Sequence, residues 1–449
     1  MKPKRIRNKR LTYPKMTAIG FAMLILTGTA LLMLPISSKH DSASFIDALF
    51  TATSAGCITG LVPFDTFTNW SVFGQIVIIV LIQVGGLGFI TLLAAAVKIF
   101  TRKISLKQKM LLKESIGSLS LGDVKTLVRS VLLFTALCEL TGAAILSFRL
   151  VPIAGLRRGI YMSLFMSISA YCNAGFDLMG MYAPSSSLTT VNDDVIIIFT
   201  LSLLIIFGGL GFIVWEDMKT RKFKWHRFSV HTKLTLITTL ILLIAPTFLF
   251  LIFENNKTLS GMPVADKIVN AFFCSVTPRT AGFNSVDIHD MSSQSKLLTM
   301  VLMFIGGSTG STAGGVKATT IAVLVLCVFS SMREKNEVNI FGRRIPDDVI
   351  KNAISIVSLN VSLIFVASTA IYFTDARLKV GDVLFECTSA LGTVGMTTGI
   401  TPTLTAAAKV IIVLLMYIGR LTSLILAMSF AHPKAKTNTM KPKCNIMIG

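Results

Sequence analysis

The sequence predicts an all-α polytopic membrane protein of four fused units, each a helix, a half-helix, a loop and a second helix, set around one axis. Three observations predict it. The 449 residues are 53% hydrophobic and only 14% charged, with a mean hydropathy of +0.72, where a soluble domain carries about 25% charged residues. Eight predominantly apolar runs reach the roughly 20 residues that span a bilayer. Four shorter apolar segments of about a dozen residues fall between them, a length that suits re-entry better than crossing.

The elements follow in order. The arm over 1–15 is basic, opening Met1-Lys2-Pro3-Lys4-Arg5. The run behind it is long enough to span and lacks an Ala-x-Ala cleavage site, so it reads as a retained first helix. Spanning runs are predicted near 16–37, 71–98, 128–150, 194–215, 231–253, 294–330, 349–373 and 407–431. Half-helices are predicted near 45–56, 160–171, 266–277 and 382–391, after the first, third, fifth and seventh runs. The organisation is therefore repeat one over 16–100, repeat two over 124–217, repeat three over 231–333, repeat four over 349–430, and a tail over 431–449.

Internal repetition carries the prediction. Phe50 precedes Gly60 by ten residues, and the same spacing joins Phe165 to Gly175, Phe272 to Gly282 and Phe385 to Gly395. The second helices repeat as well. Gly85-Gly86-Leu87-Gly88-Phe89 matches Gly208-Gly209-Leu210-Gly211-Phe212, with Ile305-Gly306-Gly307 and Ile418-Gly419-Arg420 at the corresponding places.

Charge and cysteine usage exclude other classes. A net charge of +21 would suit nucleic acid, but the basic residues fall in short clusters between apolar runs. That is the pattern of cytoplasmic loops facing anionic lipid, with no nucleic acid implied. About 30 of the 43 Lys and Arg lie in the arm, the tail and the loops after each unit; those faces and both termini are read as cytoplasmic. The seven cysteines and five histidines show no metal-ligand spacing. No cluster of His, Cys and carboxylate falls at one membrane depth, so an enzyme is not expected.

Four glycine-bearing loops at membrane depth point to a cation path. A cation entering a membrane sheds water, and backbone carbonyls can replace it. Aiming several carbonyls into one hole needs backbone angles that glycine tolerates, and such backbone is permitted only where protein buries it or it lines a cavity. The candidate filter is Cys57-Ile58-Thr59-Gly60, Cys172-Asn173-Ala174-Gly175, Arg279-Thr280-Ala281-Gly282 and Gly392-Thr393-Val394-Gly395. Only the fourth has the Thr-Val-Gly of potassium channels. The half-helices would aim their negative C-terminal ends at the ion, and Asp266 and Asp382 suit the positive ends. Cys57 and Cys172 read as packing behind the filter. The alternative is that the glycines merely ease helix packing.

A second constellation interrupts an apolar span: Gly306, Gly307, Ser308, Thr309, Gly310, Ser311, Thr312, Ala313, Gly314, Gly315, Val316 and Lys317. A phosphate-binding loop fails because Val316 stands where its lysine should follow, and no soluble strand precedes it. A movable gate loop just inside the filter is expected, with a fixed packing kink as the alternative. Third, Arg420 lies within the last span, where a charge is costly and faces a wet cavity or a partner. It would form an electrostatic barrier below the filter; the alternative is an ion pair with Glu139 or Glu386. For Arg149, lipid or loop contacts are expected.

These residues resemble the Trk/Ktr/HKT superfamily of potassium transporters, specifically the bacterial Ktr membrane subunit (KtrB or KtrD type), over nearly the whole chain. The resemblance rests on the four glycines, on Gly-Gly-Ser-Thr-Gly-Ser-Thr-Ala-Gly-Gly-Val-Lys at 306–317, and on Arg420. It implies four channel-like units around one pore, eight spanning helices with four re-entrant pore helices, and a homodimer with one pore per subunit. It implies K+ as the transported ion and no covalent cofactor. A cytoplasmic ring of nucleotide-binding regulatory subunits (KtrA/KtrC-like) would act on the 306–317 loop, and the tail ending Ile446-Met447-Ile448-Gly449 would insert at the dimer interface. Relatives with serine at the first filter glycine favour sodium; four glycines point to potassium. The alternatives are Na+ as activator or co-transported ion in a weakly selective path, and a secondary transporter with paired helix breaks, against which stand four equal units.

Overall fold

The computed structural model describes residues 13–39, 42–88, 124–335 and 337–430. The arm over 1–12, the end of the second spanning run with the dense basic loop after it, Phe89 included, and the tail lie outside the described residues.

Each short element starts where its sequence provides a cap. Helix α1 covers Tyr13–Leu32 and the half-helix α2 Phe45–Cys57, where Ser44 Oγ accepts the Asp47 amide at 3.2 Å. Helix α3, Val72–Leu87, is capped by Ser71, which accepts the Gly74 amide. Repeat two comprises α4 (Val124–Ala154), the half-helix α5 (Leu156–Tyr171), α6 (Val195–Leu210) and α7 (Phe212–Thr220). Asp194 caps α6 by accepting the Ile196 and Ile197 amides. Repeat three comprises α8 (Val230–Glu254), the half-helix α9 (Val264–Val276), α10 (Ser293–Phe304) and α11 (Ala318–Met332). Ser229 caps α8 and Ser292 caps α10. Such side-chain oxygens satisfy amides that the first helical turn leaves free. A two-stranded hairpin, Asn339–Ile340 against Arg343–Arg344, leads into repeat four: α12 (Asp347–Thr374), the half-helix α13 (Val380–Gly392) and α14 (Ala406–Phe430).

Two boundaries correct the sequence reading. The predicted span 194–215 is not one helix. It breaks at Gly211, and α6 and α7 meet at 86°. Gly211 has φ +90°, which glycine adopts without a side-chain clash, and Gly88 ends α3 with φ +79° at the matching place. The second half-helix starts at Leu156 rather than near 160, with Gly155 at φ +82° before it. The expected break in 294–330 is present between α10 and α11. Among the described residues, α8, α12 and 129–154 of α4 are each long and apolar enough to cross a bilayer. They expose large apolar side chains, including Phe148, Ile252 and Phe373, as a lipid-facing surface requires.

The core is a closed ring. One apolar cluster joins repeats one and two and reaches Phe273 and Phe283 of repeat three; a second joins one and four; a third joins three and four. The second helix of each repeat packs on the half-helix of the next: α3 on α5, α6 on α9, α10 on α13, and α14 on α2.

Candidate ion pathway

The four loop glycines meet in a cycle. A Cβ on Gly60 would lie 2.6 Å from Ala174 O and 3.2 Å from Gly175 Cα, and one on Gly175 would lie 2.6 Å from Ala281 O and 3.2 Å from Gly282 Cα. A Cβ on Gly282 would strike Val394 O and Gly395, and one on Gly395 would strike Thr59 O and lie 2.8 Å from Gly60 Cα, closing the circle. Their φ angles are +92°, +73°, +82° and +95°. No side chain fits at any of these places, on backbone angle or on space.

The residue two before each glycine is also left-handed: Ile58, Asn173, Thr280 and Thr393. Such angles are costly away from glycine and persist where the surroundings fix them. Part of that fixing comes from a serine that sequence reasoning missed. Ser54, Ser169 and Ser389 stand six residues before their glycines. Ser54 Oγ accepts the Gly60 amide (3.0 Å), Ser389 Oγ the Gly395 amide (3.1 Å), and Ser169 Oγ the Phe176 amide (3.0 Å). The repeat alignment held this signal. Quarter three has Val276 there, and Thr277 Oγ1 donates instead to Phe283 O. Its register differs too, since Phe273 is fully buried while Phe272, which the equal spacing picked out, is half-buried.

The paired glycines of the second helices have a different task. A Cβ on Gly85 would strike Gly56 O, one on Gly208 Tyr171 O, and one on Gly419 Leu391 O. Each of these carbonyls lies four residues before its ring glycine, at the end of a half-helix. These glycines therefore ease helix packing, while the ring glycines face one another.

The loop over 305–317 sits against the C-terminal ends of two half-helices, α5 and α13. Its neck is closed by Gly306 N donating to Val316 O (2.8 Å) and Ala318 N donating to Gly307 O (3.1 Å). Gly314 packs on Thr393, and a Cβ on Gly315 would lie 3.1 Å from Gly392 O. Thr312 Oγ1 is 3.3 Å from Tyr171 O and 3.3 Å from the Asn173 side-chain amide. Three backbone bonds tie the loop to the bend of repeat two: Ser308 N to Gly209 O (3.0 Å), Thr312 N to Gly208 O (3.3 Å) and Phe212 N to Gly310 O (2.9 Å). Ser311 Oγ donates to Ser308 O at 2.6 Å, and Thr309 Oγ1 lies 3.3 Å from Thr319 Oγ1.

Two cations reach the same stretch of loop. Lys317 Nζ donates to Ala313 O (2.7 Å), and Arg420 donates through Nη1 to Thr312 O and through Nη2 to Gly85 O. The bonds that Arg420 makes are to carbonyls, so the expected alternative of an ion pair with Glu139 or Glu386 is not what holds it. Gln83 Nε2 donates to Glu139, and Thr401 Oγ1 donates to Glu386. Arg149, expected on lipid or loops, pairs with Asp194 at 2.6 Å. Arg279 is 6% exposed within the turn of quarter three, with no partner for Nε among the described residues. Cys57 and Cys172 are fully buried, and the thiol of Cys172 faces Gln83 and Glu139. No group of three or more His, Cys, Asp and Glu side chains among the described residues could hold a metal ion.

Comparison with known proteins agrees with this architecture. Residues 4–440 match the family model described as TrkH: Cation transport protein. The chain is 42% identical to Ktr system potassium uptake protein B of Bacillus subtilis, covering 100% of this chain and 99% of that one. It is 40% identical to the potassium/sodium uptake protein NtpJ of Enterococcus hirae, over 99% of each. In fold it is similar to the crystal structure of the potassium transporter TrkH from Vibrio parahaemolyticus, with a TM-score of 0.73 at 18% identity, covering 96% of this chain and 87% of that one. The chain is a multi-pass membrane protein, not an enzyme, and it belongs to the TrkH family of cation transport proteins.

Proposed function

We propose that this chain is the ion-translocating membrane subunit of a bacterial potassium uptake system, with Gly60, Gly175, Gly282 and Gly395 as its selectivity filter. The carrying observation is the closed cycle of four glycines with left-handed backbone, each against the backbone of the next. Carbonyls in that setting can replace the hydration shell of a monovalent cation. The loop over 306–317 is the gate beneath the filter, held by Lys317 through the carbonyl of Ala313 and by Arg420 through that of Thr312. K+ is the transported ion. The basic faces and both termini are cytoplasmic, the chain works as a homodimer, and a nucleotide-binding regulatory subunit acts on the gate from the cytoplasm; the word "system" in the name of the Bacillus relative supports a partner.

A second reading has its own support. The name of the Enterococcus relative includes sodium, and three of the four quarters lack Thr-Val-Gly. This reading is a sodium-coupled or weakly selective path. Rubidium and sodium flux into proteoliposomes separates the two: rubidium flux well above sodium flux is expected, and equal fluxes would overturn the potassium assignment. Shortening the loop within 308–315 tests the gate. Flux without a partner should rise, and a fall or no change would remove the loop from that role.

A further inference from the structure

The bend between α6 and α8 is built beyond what a connection requires. Helix α7 leaves α6 at 86°, so if α6 runs along the bilayer normal α7 lies close to the membrane plane. Its first residue holds the loop directly through Phe212 N to Gly310 O, and Gly211 packs on Thr309 O at 2.8 Å from its missing Cβ. Its last turn carries Asp217, which accepts Arg221 Nε at 2.6 Å and the Ser229 amide at 2.9 Å. Burial alone would raise the Asp217 pKa, but hydrogen bonds from Thr232, Ser229 and Arg221 outweigh it and hold the carboxyl below its ordinary value. Arg221 in turn donates through Nη1 to Arg227 O. A carboxylate and a guanidinium thus tie Asp217, Arg221, Arg227 and Ser229 together at the start of α8.

The tip of this piece is strained and amphipathic. Lys222 and Phe223 are consecutive non-glycine residues with φ +51° and +58°. Phe223 is 68% exposed and Trp225 48% exposed, with the indole set edge-on against the Phe228 ring at 5.9 Å. Residues 218–228 contain Lys219, Arg221, Lys222, Lys224 and Arg227 and no acidic residue, and 219–227 are all exposed. The nearest acidic groups on the element are Glu216 and Asp217, the latter already engaged. Strain kept at an exposed position points to use. Aromatic rings between lysines at the end of a span suit the headgroup layer of an anionic leaflet.

We infer that the elbow over 211–229 is a binding site for anionic phospholipid headgroups, and that its engagement pulls α7 away from Gly310 and so loosens the loop. The inference rests on the reading of 306–317 as the gate. Charge complementarity commits the occupant: four exposed cations, Lys219, Lys222, Lys224 and Arg227, beside an Arg221 that Asp217 engages, and two rings to enter the interface.

Trp225 provides a direct probe. Trp70 is buried and Trp215 is packed between Phe134 and Phe207. In proteoliposomes, brominated phosphatidylglycerol should quench the emission more than brominated phosphatidylcholine, and Trp225→Phe should remove the difference. Rubidium flux should rise by about threefold or more as phosphatidylglycerol replaces phosphatidylcholine. Lys222→Gln/Lys224→Gln/Arg227→Gln should abolish both effects, while the same loss of charge at Arg343 and Lys351 should leave both. Equal quenching by the two lipids, or an unchanged lipid response in the triple variant, overturns the inference. A response that requires a soluble protein and ignores lipid also overturns it. The loop-shortened protein separates the two readings. If only the lever fails, shortening raises flux while the triple variant keeps its lipid response. If the gate itself fails, shortening leaves flux unchanged while Trp225 still distinguishes the lipids.

Discussion

The glycine ring and the loop beneath it are both rich in glycine, and they use it in opposite ways. In the ring, glycine brings four backbones to contact, and each quarter is fixed from its own half-helix by a serine or threonine hydroxyl. In the loop, glycine leaves the chain without side chains to pack, and the loop is held from outside. Its bonds go to the bend of repeat two, to Tyr171 and to Arg420. One region is determined locally, the other by three separate attachments. An attachment that belongs to another element can be released by moving that element, whereas one made within a quarter cannot.

The comparison can be broken most severely at the ring. Gly395→Ser adds a side chain where Thr59 O and Gly60 already sit, at φ +95°. Strain of about 1–3 kcal/mol, if it falls on the ring's cation preference, corresponds to a loss of rubidium over sodium preference of up to roughly five- to 150-fold. Gly399 has φ +96° but open space around it, so Gly399→Ala should leave selectivity intact; equal damage from both would mean that backbone angle alone matters. Arg420→Ala removes two charge-assisted bonds, each worth about 1.5–3 kcal/mol, and should raise rubidium flux by roughly tenfold. Arg420→Lys restores the charge without the fork. If Arg420→Lys conducts like wild type, the residue is a charge barrier; if it conducts like Arg420→Ala, it is a latch. The smallest effect is expected at the hydroxyls. Ser389→Ala leaves the Gly395 amide unpaired at about 1–3 kcal/mol, lowering the melting temperature and relaxing selectivity slightly. Val276→Ser should change neither, because quarter three already uses Thr277.

Much of this was legible in the sequence, for a physical reason. Each half-helix is short and is followed within a few residues by a glycine whose backbone is left-handed, so the Phe-to-Gly spacing marked each half-helix and each ring glycine. The broken span at 305–317 was visible because its glycines and hydroxyls interrupt an apolar run. The break at Gly211 was not, because Gly208 to Phe212 stays apolar and hydropathy does not register backbone angle. Partners of Arg420 were also beyond reach. A carbonyl exists at every residue, so no letter marks Thr312 or Gly85 as the acceptor, whereas Glu139 and Glu386 are visible charges and drew the expectation. The shifted register of quarter three was hidden by adjacent Phe272 and Phe273.

The cycle of contacts closes within one polypeptide, and the quarters differ in sequence. In an assembly of identical subunits any change to such a ring appears at every position at once. Here a substitution enters the ring once and meets three unaltered neighbours. Each quarter is thus a separately adjustable locus, and if the ring is the proposed filter, graded cation preference is accessible by single steps that a symmetric ring does not offer.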